Sequence, residues 1–207
     1  MNKIPPVKSV TFVKSSTNLE QCPTEKRNEF AFIGRSNVGK SSLINMLMQR
    51  NKLAKISSTP GKTRTINHFI VNDDWFLVDL PGYGYAKRSK SERSTFSQMI
   101  QDYVLKHERL LLLFVLIDLR LPPQKADLEF FNLCGEKQIP FHIVFTKYDK
   151  VKASQREKNL KNYLDKLLDT WAEIPPYYVT SSKTGLGRDE IMQDINKLNS
   201  DLPVKKF

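Results

Sequence analysis

The chain has 207 residues, of which 40% are hydrophobic and 10% aromatic, so it can bury the core of one α/β domain and is not a disordered polymer. Its formal charge of +11 is typical of proteins with a polyanionic partner, although a basic solvated surface without such a partner is the alternative. It has only two cysteines, Cys22 and Cys134, and no secretory signal or membrane span, so we expect a cytoplasmic protein without disulfides.

The chain begins with a polar arm, residues 1–28, in which we predict one short strand at 10–13. From residue 29 to 200, segments of strand and helix length alternate. The predicted strands lie at 30–33, 68–71, 75–80, 111–117, 141–145 and 177–180, and the predicted helices at 40–49, 91–107, 124–137, 154–170 and 188–199. This alternation predicts a doubly wound, mostly parallel six-stranded sheet with helices on both faces. Residues 201–207 form a basic tail.

A phosphate-binding loop is predicted between the 30–33 strand and the 40–49 helix. The segment fits G-x-x-x-x-G-K-[ST], and its amides should converge on phosphate oxygens at the N-terminus of the helix, where the macrodipole favours anions. Lys40 would bridge the β- and γ-phosphates, and the Ser41 hydroxyl would coordinate Mg²⁺. The candidate residues are Gly34, Arg35, Ser36, Asn37, Val38, Gly39, Lys40 and Ser41.

The segment Thr146-Lys147-Tyr148-Asp149 follows the 141–145 strand and indicates which base is bound. The Asp149 carboxylate can accept paired hydrogen bonds from guanine N1 and N2, whereas adenine offers no such donor pair. The Lys147 stem can cover the base plane. Thr146 stands where asparagine is commoner, and we expect this to weaken the link to the phosphate loop without removing the guanine contact.

Two further segments complete the predicted site for GTP and GDP. Asp79-Leu80-Pro81-Gly82 ends the 75–80 strand, where Asp79 would hold Mg²⁺ through a water and the Gly82 amide would sense the γ-phosphate. Ser181-Ser182-Lys183 follows the last strand, and the Ser182 amide would donate to guanine O6. Each segment is ambiguous alone, but their order along the chain predicts guanine-nucleotide binding.

The sequences of these motifs resemble those of the EngB (YihA/YsxC) family of bacterial GTP-binding proteins. The strings are GRSNVGKSSLIN at 34–45, TPGKTRT at 59–65, DLPGYGYA at 79–86 and TKYD at 146–149. The resemblance covers residues 30 to about 200 and implies an Era-like P-loop GTPase (G domain). It also implies a role in assembly of the large ribosomal subunit and a requirement for normal cell division and septation. By match to the family motif, Thr63 would ligate Mg²⁺, with further nucleotide-binding candidates at Gly61, Lys62, Arg64 and Thr65.

The predicted reaction is attack of water on the γ-phosphoryl group of GTP, with catalysis by positioning and charge neutralisation through Lys40, Thr63 and Mg²⁺. Tyr83 stands where Ras-like enzymes have the water-orienting glutamine, so we expect slow intrinsic turnover. Two alternative roles are open for Asn37. It either helps hold a K⁺ ion that replaces an arginine finger, or it satisfies the loop backbone.

Basic residues are concentrated in two segments that flank the γ-phosphate in this kind of fold. Residues 50–64 have a net charge of +5 and residues 83–93 a net charge of +3, most of the total of +11. The clustering favours an RNA-facing surface, and we expect a monomer that binds the large ribosomal subunit or its precursor through rRNA. The alternative is a small regulatory switch that binds proteins only. The basic residues are Arg50, Lys52, Lys55, Lys62, Arg64, Lys87, Arg88, Lys90 and Arg93.

The three histidines lack the spacing of a metal site or a catalytic triad, so we predict core or surface roles for them. They are His68, His107 and His142.

Overall fold

A computed structural model describes residues 5–51, 53–54, 65–83 and 90–202, without the side chains of 90–97. Four of the predicted nucleotide ligands lie outside the described residues, as do most basic residues of the two flanking segments and the end of the tail. The four ligands are Gly61, Lys62, Thr63 and Arg64.

Within these residues the chain forms seven strands and five helices, which alternate as predicted. The strands are β1 (Val10–Ser16), β2 (Glu29–Gly34), β3 (Ile66–Val71), β4 (Trp75–Asp79), β5 (Leu110–Asp118), β6 (Phe141–Thr146) and β7 (Tyr177–Val179). The helices are α1 (Lys40–Leu47), α2 (Lys90–Lys106), α3 (Lys125–Glu136), α4 (Ala153–Leu168) and α5 (Arg188–Asp201). Among the described helices, not one combines the length and the apolar character that crossing a membrane requires.

The strands form one sheet in the order β1-β3-β4-β2-β5-β6-β7. From β4 to β7 the neighbours run parallel, and β3 runs antiparallel to both β4 and β1. The prediction of a doubly wound, mostly parallel sheet is therefore confirmed. Strand β5 lies inside the sheet between β2 and β6, and most of its apolar run is buried as expected for a parallel strand that is covered on both faces.

The sheet has seven strands instead of the predicted six, because the arm contributes β1. This strand pairs with β3 from Val10 opposite Val71 to Ser16 opposite Ile66, and it is three residues longer than predicted. The Phe12 ring packs edge-on against Phe69, with 5.6 Å between ring centroids. Most of β1 is exposed, so its sequence resembles a polar arm although its backbone completes the edge of the sheet.

Helices cover both faces of the sheet, as predicted. Helices α1 and α5 pack on one face, and α2, α3 and α4 pack on the other. Strand β2 shows the division, because Phe30 and Phe32 point to the first face while Ala31 and Ile33 point to the second. The carboxyl ends of the parallel strands consequently meet at one edge, where ligands bind in sheets of this kind.

A buried carboxylate at the opposite end of β2 explains two of the histidines. Glu29 is fully buried, His107 Nε2 lies 2.8 Å from its Oε1, and His68 Nε2 lies 3.4 Å from its Oε2. The Tyr103 hydroxyl donates to the same Oε2. Burial disfavours the charge on Glu29, but the contacts with His107 and His68 outweigh burial and lower its pKa to about 2. The cluster ties α2 to β2 and β3.

We expect Glu29→Gln to reduce the dependence of stability on acid pH. Because the folded pKa of about 2 lies below the ordinary value of 4.5, the ionised carboxylate stabilises the fold above pH 4.5. That contribution, on the order of 3 kcal/mol, is lost as the pH falls toward 2. Urea unfolding between pH 7 and 3 should show this loss in wild type, and Glu29→Gln should lose less stability over the same range. The exposed Glu108→Gln is the matched control, and identical pH profiles for all three proteins would contradict the prediction.

Candidate nucleotide-binding site

The predicted phosphate loop, residues 34–41, spans the connection between β2 and α1. Gly39 caps the helix in the left-handed region, at φ 109°, and its carbonyl accepts the Leu43 amide at 2.9 Å. Asn37 also has a positive φ of 63°. Val38 donates its amide to the Arg35 carbonyl at 3.2 Å, which closes the turn. The loop therefore has the bend that lets successive amides face one point at the start of the helix.

The Asp79-Leu80-Pro81-Gly82 segment lies against this loop. Lys40 forms an ion pair with Asp79 at the end of β4, and the two side chains are only 10% and 6% exposed. A Cβ added to Gly82 would lie 2.6 Å from the Gly34 carbonyl oxygen and 3.4 Å from the Ser36 amide nitrogen. Only glycine permits this approach, so Gly82 is placed beside the loop where the sequence predicted it to sense phosphate.

The Thr146-Lys147-Tyr148-Asp149 segment contacts the other side of the loop. The Thr146 hydroxyl lies 2.7 Å from the Val38 carbonyl oxygen and 3.0 Å from that of Ile117, and it can donate to either. Lys147 Nζ donates to the Asn37 carbonyl at 2.6 Å. The link from Thr146 to the phosphate loop, which we expected to be weak, is thus present through one short hydroxyl contact.

Asp149 is oriented by the Ser181-Ser182-Lys183 segment. The Ser181 hydroxyl donates to Asp149 Oδ1 at 2.8 Å, and Ser181 is fully buried. The two segments are also joined through the backbone, because the Tyr148 amide donates to the Thr180 carbonyl at 3.1 Å. The carboxylate predicted to select guanine is therefore held in a fixed orientation by its neighbours.

A cleft of about 870 Å³ lies between these segments, within the usual volume range of small-molecule sites. It is lined by residues of the phosphate loop and α1 and by both base-binding segments, including Gly39, Ser42, Thr146, Lys147, Asp149, Ser182 and Lys183. Five of the predicted base-site residues are thus brought together in one cavity, whereas Tyr148 lines a separate pocket together with Arg156. Thr65 differs, because its hydroxyl contacts the Asn67 side chain at the start of β3. The individual contacts to nucleotide stay predictions.

Asp118, the carboxylate at the end of β5, was not among the predicted site residues. Asp118 Oδ2 accepts hydrogen bonds from Lys147 Nζ at 2.8 Å and Arg120 Nη2 at 2.7 Å. Burial disfavours the charge, but these two donors outweigh it and hold the pKa of Asp118 below its usual range. Asp118 therefore fixes the lysine that is predicted to cover the base. Its position at the carboxyl end of a buried parallel strand was the available signal.

A second missed carboxylate is Asp127 on α3, which accepts hydrogen bonds from Arg35 of the phosphate loop and from Tyr83. Nothing in the sequence around Asp127 connects it to either residue. Only its contacts in the structure identify Asp127 as a candidate functional residue.

Proteins of known family match this chain over nearly its whole length. The probable GTP-binding protein EngB of Phocaeicola vulgatus is 54% identical, over 94% of this chain and 97% of its own. That of Bacteroides thetaiotaomicron is 52% identical, over 97% of this chain and 99% of its own. The crystal structure of a probable GTP-binding protein engB has a TM-score of 0.63 at 21% identity, covers 84% of this chain and 99% of its own, and supports the fold alone.

A sequence profile described as 50S ribosome-binding GTPase matches residues 29–147. Together with the two relatives, this match confirms the resemblance seen in the motifs. The chain belongs to the EngB family of GTP-binding proteins and is a P-loop GTPase.

Proposed function

We propose that this chain hydrolyses GTP slowly and binds the large ribosomal subunit, or its precursor, with an affinity set by the bound nucleotide. The proposal rests on the contact of Gly82 with the phosphate loop. Gly82 immediately precedes the basic segment 83–93. A γ-phosphate bound beside Ser36 would therefore contact the residue to which that segment is attached. The description of the matching profile, 50S ribosome-binding GTPase, supports the choice of partner.

In the proposed reaction Lys40 leaves Asp79 and contacts the β- and γ-phosphates, while the loop amides hold the phosphate oxygens. The Ser41 hydroxyl and the Asp79 carboxylate are oxygen donors of the kind that Mg²⁺ prefers, and Thr63 would join them according to the family motif. Mg²⁺ would neutralise charge on the phosphate oxygens. Slow turnover is supported by Tyr83, which is 9% exposed and donates its hydroxyl to Asp127, so it is not positioned to orient water as glutamine does in Ras-like enzymes.

The role in normal cell division and septation belongs to the same proposal and rests on the family resemblance. Cytoplasmic location and the monomeric state, both expected from the sequence, stay proposals. K⁺ at Asn37 stays a prediction. The left-handed φ of Asn37 and its carbonyl contact with Lys147 agree with the alternative of a backbone role.

Co-sedimentation with large-subunit particles tests the proposal. We expect binding with a non-hydrolysable GTP analogue, weaker binding with GDP, and a steep loss with salt. Each phosphate contact that is removed should lower the log–log slope by about 0.7 to 0.9. The triple variant Lys87→Ala, Arg88→Ala, Lys90→Ala should lose particle binding and keep its affinity for GTP.

The matched control removes three exposed lysines of α4, by Lys158→Ala, Lys161→Ala and Lys166→Ala. It should bind particles like wild type. Particle binding that changes with neither the bound nucleotide nor the salt concentration would contradict the proposal. It would indicate instead that the arm, or the tail with Lys205 and Lys206, binds the particle. Absence of particle binding would favour the switch that contacts proteins only.

A further inference from the structure

Two motif residues that the predicted nucleotide contacts leave without a distinct role meet at one buried carboxylate. Arg35, in the phosphate loop, donates its Nε to Asp127 Oδ1 at 3.0 Å and Oδ2 at 3.2 Å. Tyr83, which follows Gly82, donates its hydroxyl to Asp127 Oδ1 at 3.0 Å. Three segments distant in sequence are therefore joined at Asp127: the phosphate loop, the segment after Gly82 and helix α3.

Asp127 is buried, so its negative charge must be compensated by the hydrogen bonds from Arg35 and Tyr83. Its side chain is 1% exposed, and burial raises the pKa of the Asp127 carboxyl, which the contacts with Arg35 and Tyr83 offset only in part. Burial and the nearby carboxylate also raise the pKa of Tyr83 well above its usual range, so the phenol stays a donor. Loss of either donor would leave a poorly compensated buried charge, and the positions of Arg35 and Tyr83 are thereby coupled energetically.

The coupling lies one residue away from Ser36 of the phosphate loop and from Gly82, whose amide is predicted to contact the γ-phosphate. Arg35 precedes Ser36, and Tyr83 follows Gly82, while the Ser36 amide and Gly82 lie against each other. The Tyr83 ring is also stacked on Phe130 of α3, with 4.6 Å between centroids and 13° between planes. A shift of Gly82 relative to the loop would therefore move Tyr83 away from a fixed partner on α3.

We propose that Asp127 is a positioning residue of this GTPase, which couples the phosphate loop to the segment after Gly82 through Arg35 and Tyr83. It holds Ser36 and Gly82 in register for the γ-phosphate without touching the nucleotide. GTP binding and hydrolysis depend on that register. GDP binding does not, because GDP has no γ-phosphate and is held by the base-binding segments and the remaining loop contacts.

The test uses Tyr83→Phe, which removes one hydroxyl and keeps the stacked ring, together with Asp127→Asn and the double variant. For each single variant we expect kcat and the affinity for a non-hydrolysable GTP analogue to fall about tenfold, with GDP affinity changed less than about twofold. The double variant should be no worse than Asp127→Asn alone, because both changes break the same bridge.

Tyr178→Phe is the matched control, because it likewise removes a hydroxyl that donates to a helix carboxylate, Asp194 Oδ2 of α5 at 2.6 Å, on the other face of the sheet. It should leave kcat and both affinities unchanged. Equal losses for GDP and the GTP analogue, or additive losses in the double variant, would show that Asp127 only stabilises the fold. If Asp127→Asn does not fold, unchanged kcat and affinities in Tyr83→Phe would overturn the proposal by themselves.

Discussion

Replacement of Lys40 by alanine is expected to weaken GTP binding about 10²- to 10³-fold. The ammonium group lies at the start of α1 in a nearly buried position, and its partner Asp79 is equally buried. In such a site a charge-assisted contact to phosphate oxygens is much stronger than in water. The truncation also leaves the Asp79 carboxylate without its cation, which adds negative charge where the phosphates should bind.

Titration calorimetry with a non-hydrolysable GTP analogue measures this loss. The exposed Lys158→Ala on α4 carries the same charge change and should bind the analogue like wild type. Thermal unfolding separates loss of binding from loss of the fold. An unchanged affinity in a folded Lys40→Ala protein would mean that the loop is not the phosphate site.

Asp149→Asn is expected to lower the affinity for GDP and GTP by about 10⁴-fold and to favour xanthine nucleotides. A carboxylate accepts from guanine N1 and N2, whereas an amide nitrogen beside the base can donate to the C2 carbonyl oxygen of xanthine. The Ser181 hydroxyl, which donates to Asp149 Oδ1 at 2.8 Å, can donate to the amide oxygen and turn the nitrogen toward the base. The site therefore keeps its orientation while its selectivity changes.

Competition of GDP and xanthosine diphosphate for the variant tests this prediction. The exposed Asp165→Asn on α4 is the control and should retain the guanine preference. If Asp149→Asn binds both nucleotides as wild type does, another residue selects the base.

The fold was predictable because most elements carry their own periodic pattern. The strands predicted at 68–71, 75–80 and 111–117 match β3, β4 and β5 within two residues of their ends. Strand β1 shows the limit, because the apolar residues of this mostly exposed edge strand end at Val13, and its last three residues were not predicted. Its place in the sheet depends on pairing with β3, whose residues lie 50 to 61 positions further along the chain.

The candidate site was predictable where one continuous segment carries the chemistry. The phosphate loop and Asp149 belong to such segments. Asp118 and Asp127 do not, because Lys147 lies 29 residues from Asp118 and Arg35 lies 92 residues from Asp127. An isolated carboxylate has no local signal for a partner at that distance, so contacts of this kind require the tertiary structure.

Thr146 shows a further limit of motif comparison. Threonine lacks the side-chain amide of asparagine, so the sequence predicts a weaker link between residue 146 and the phosphate loop. In the structure the Thr146 hydroxyl lies 2.7 Å from the Val38 carbonyl, so the link persists with a shorter side chain. How far a side chain must reach depends on backbone spacing, which the sequence does not contain.

The central claim is that the cleft between the phosphate loop and Asp149 selects guanine nucleotides. Titration calorimetry of the wild-type protein with GDP and with ADP tests it most directly, since neither ligand is consumed by hydrolysis. We predict that GDP binds at least about 10³-fold more tightly than ADP, because adenine would leave the Asp149 carboxylate without its donor pair. Equal affinities for the two nucleotides would contradict the claim.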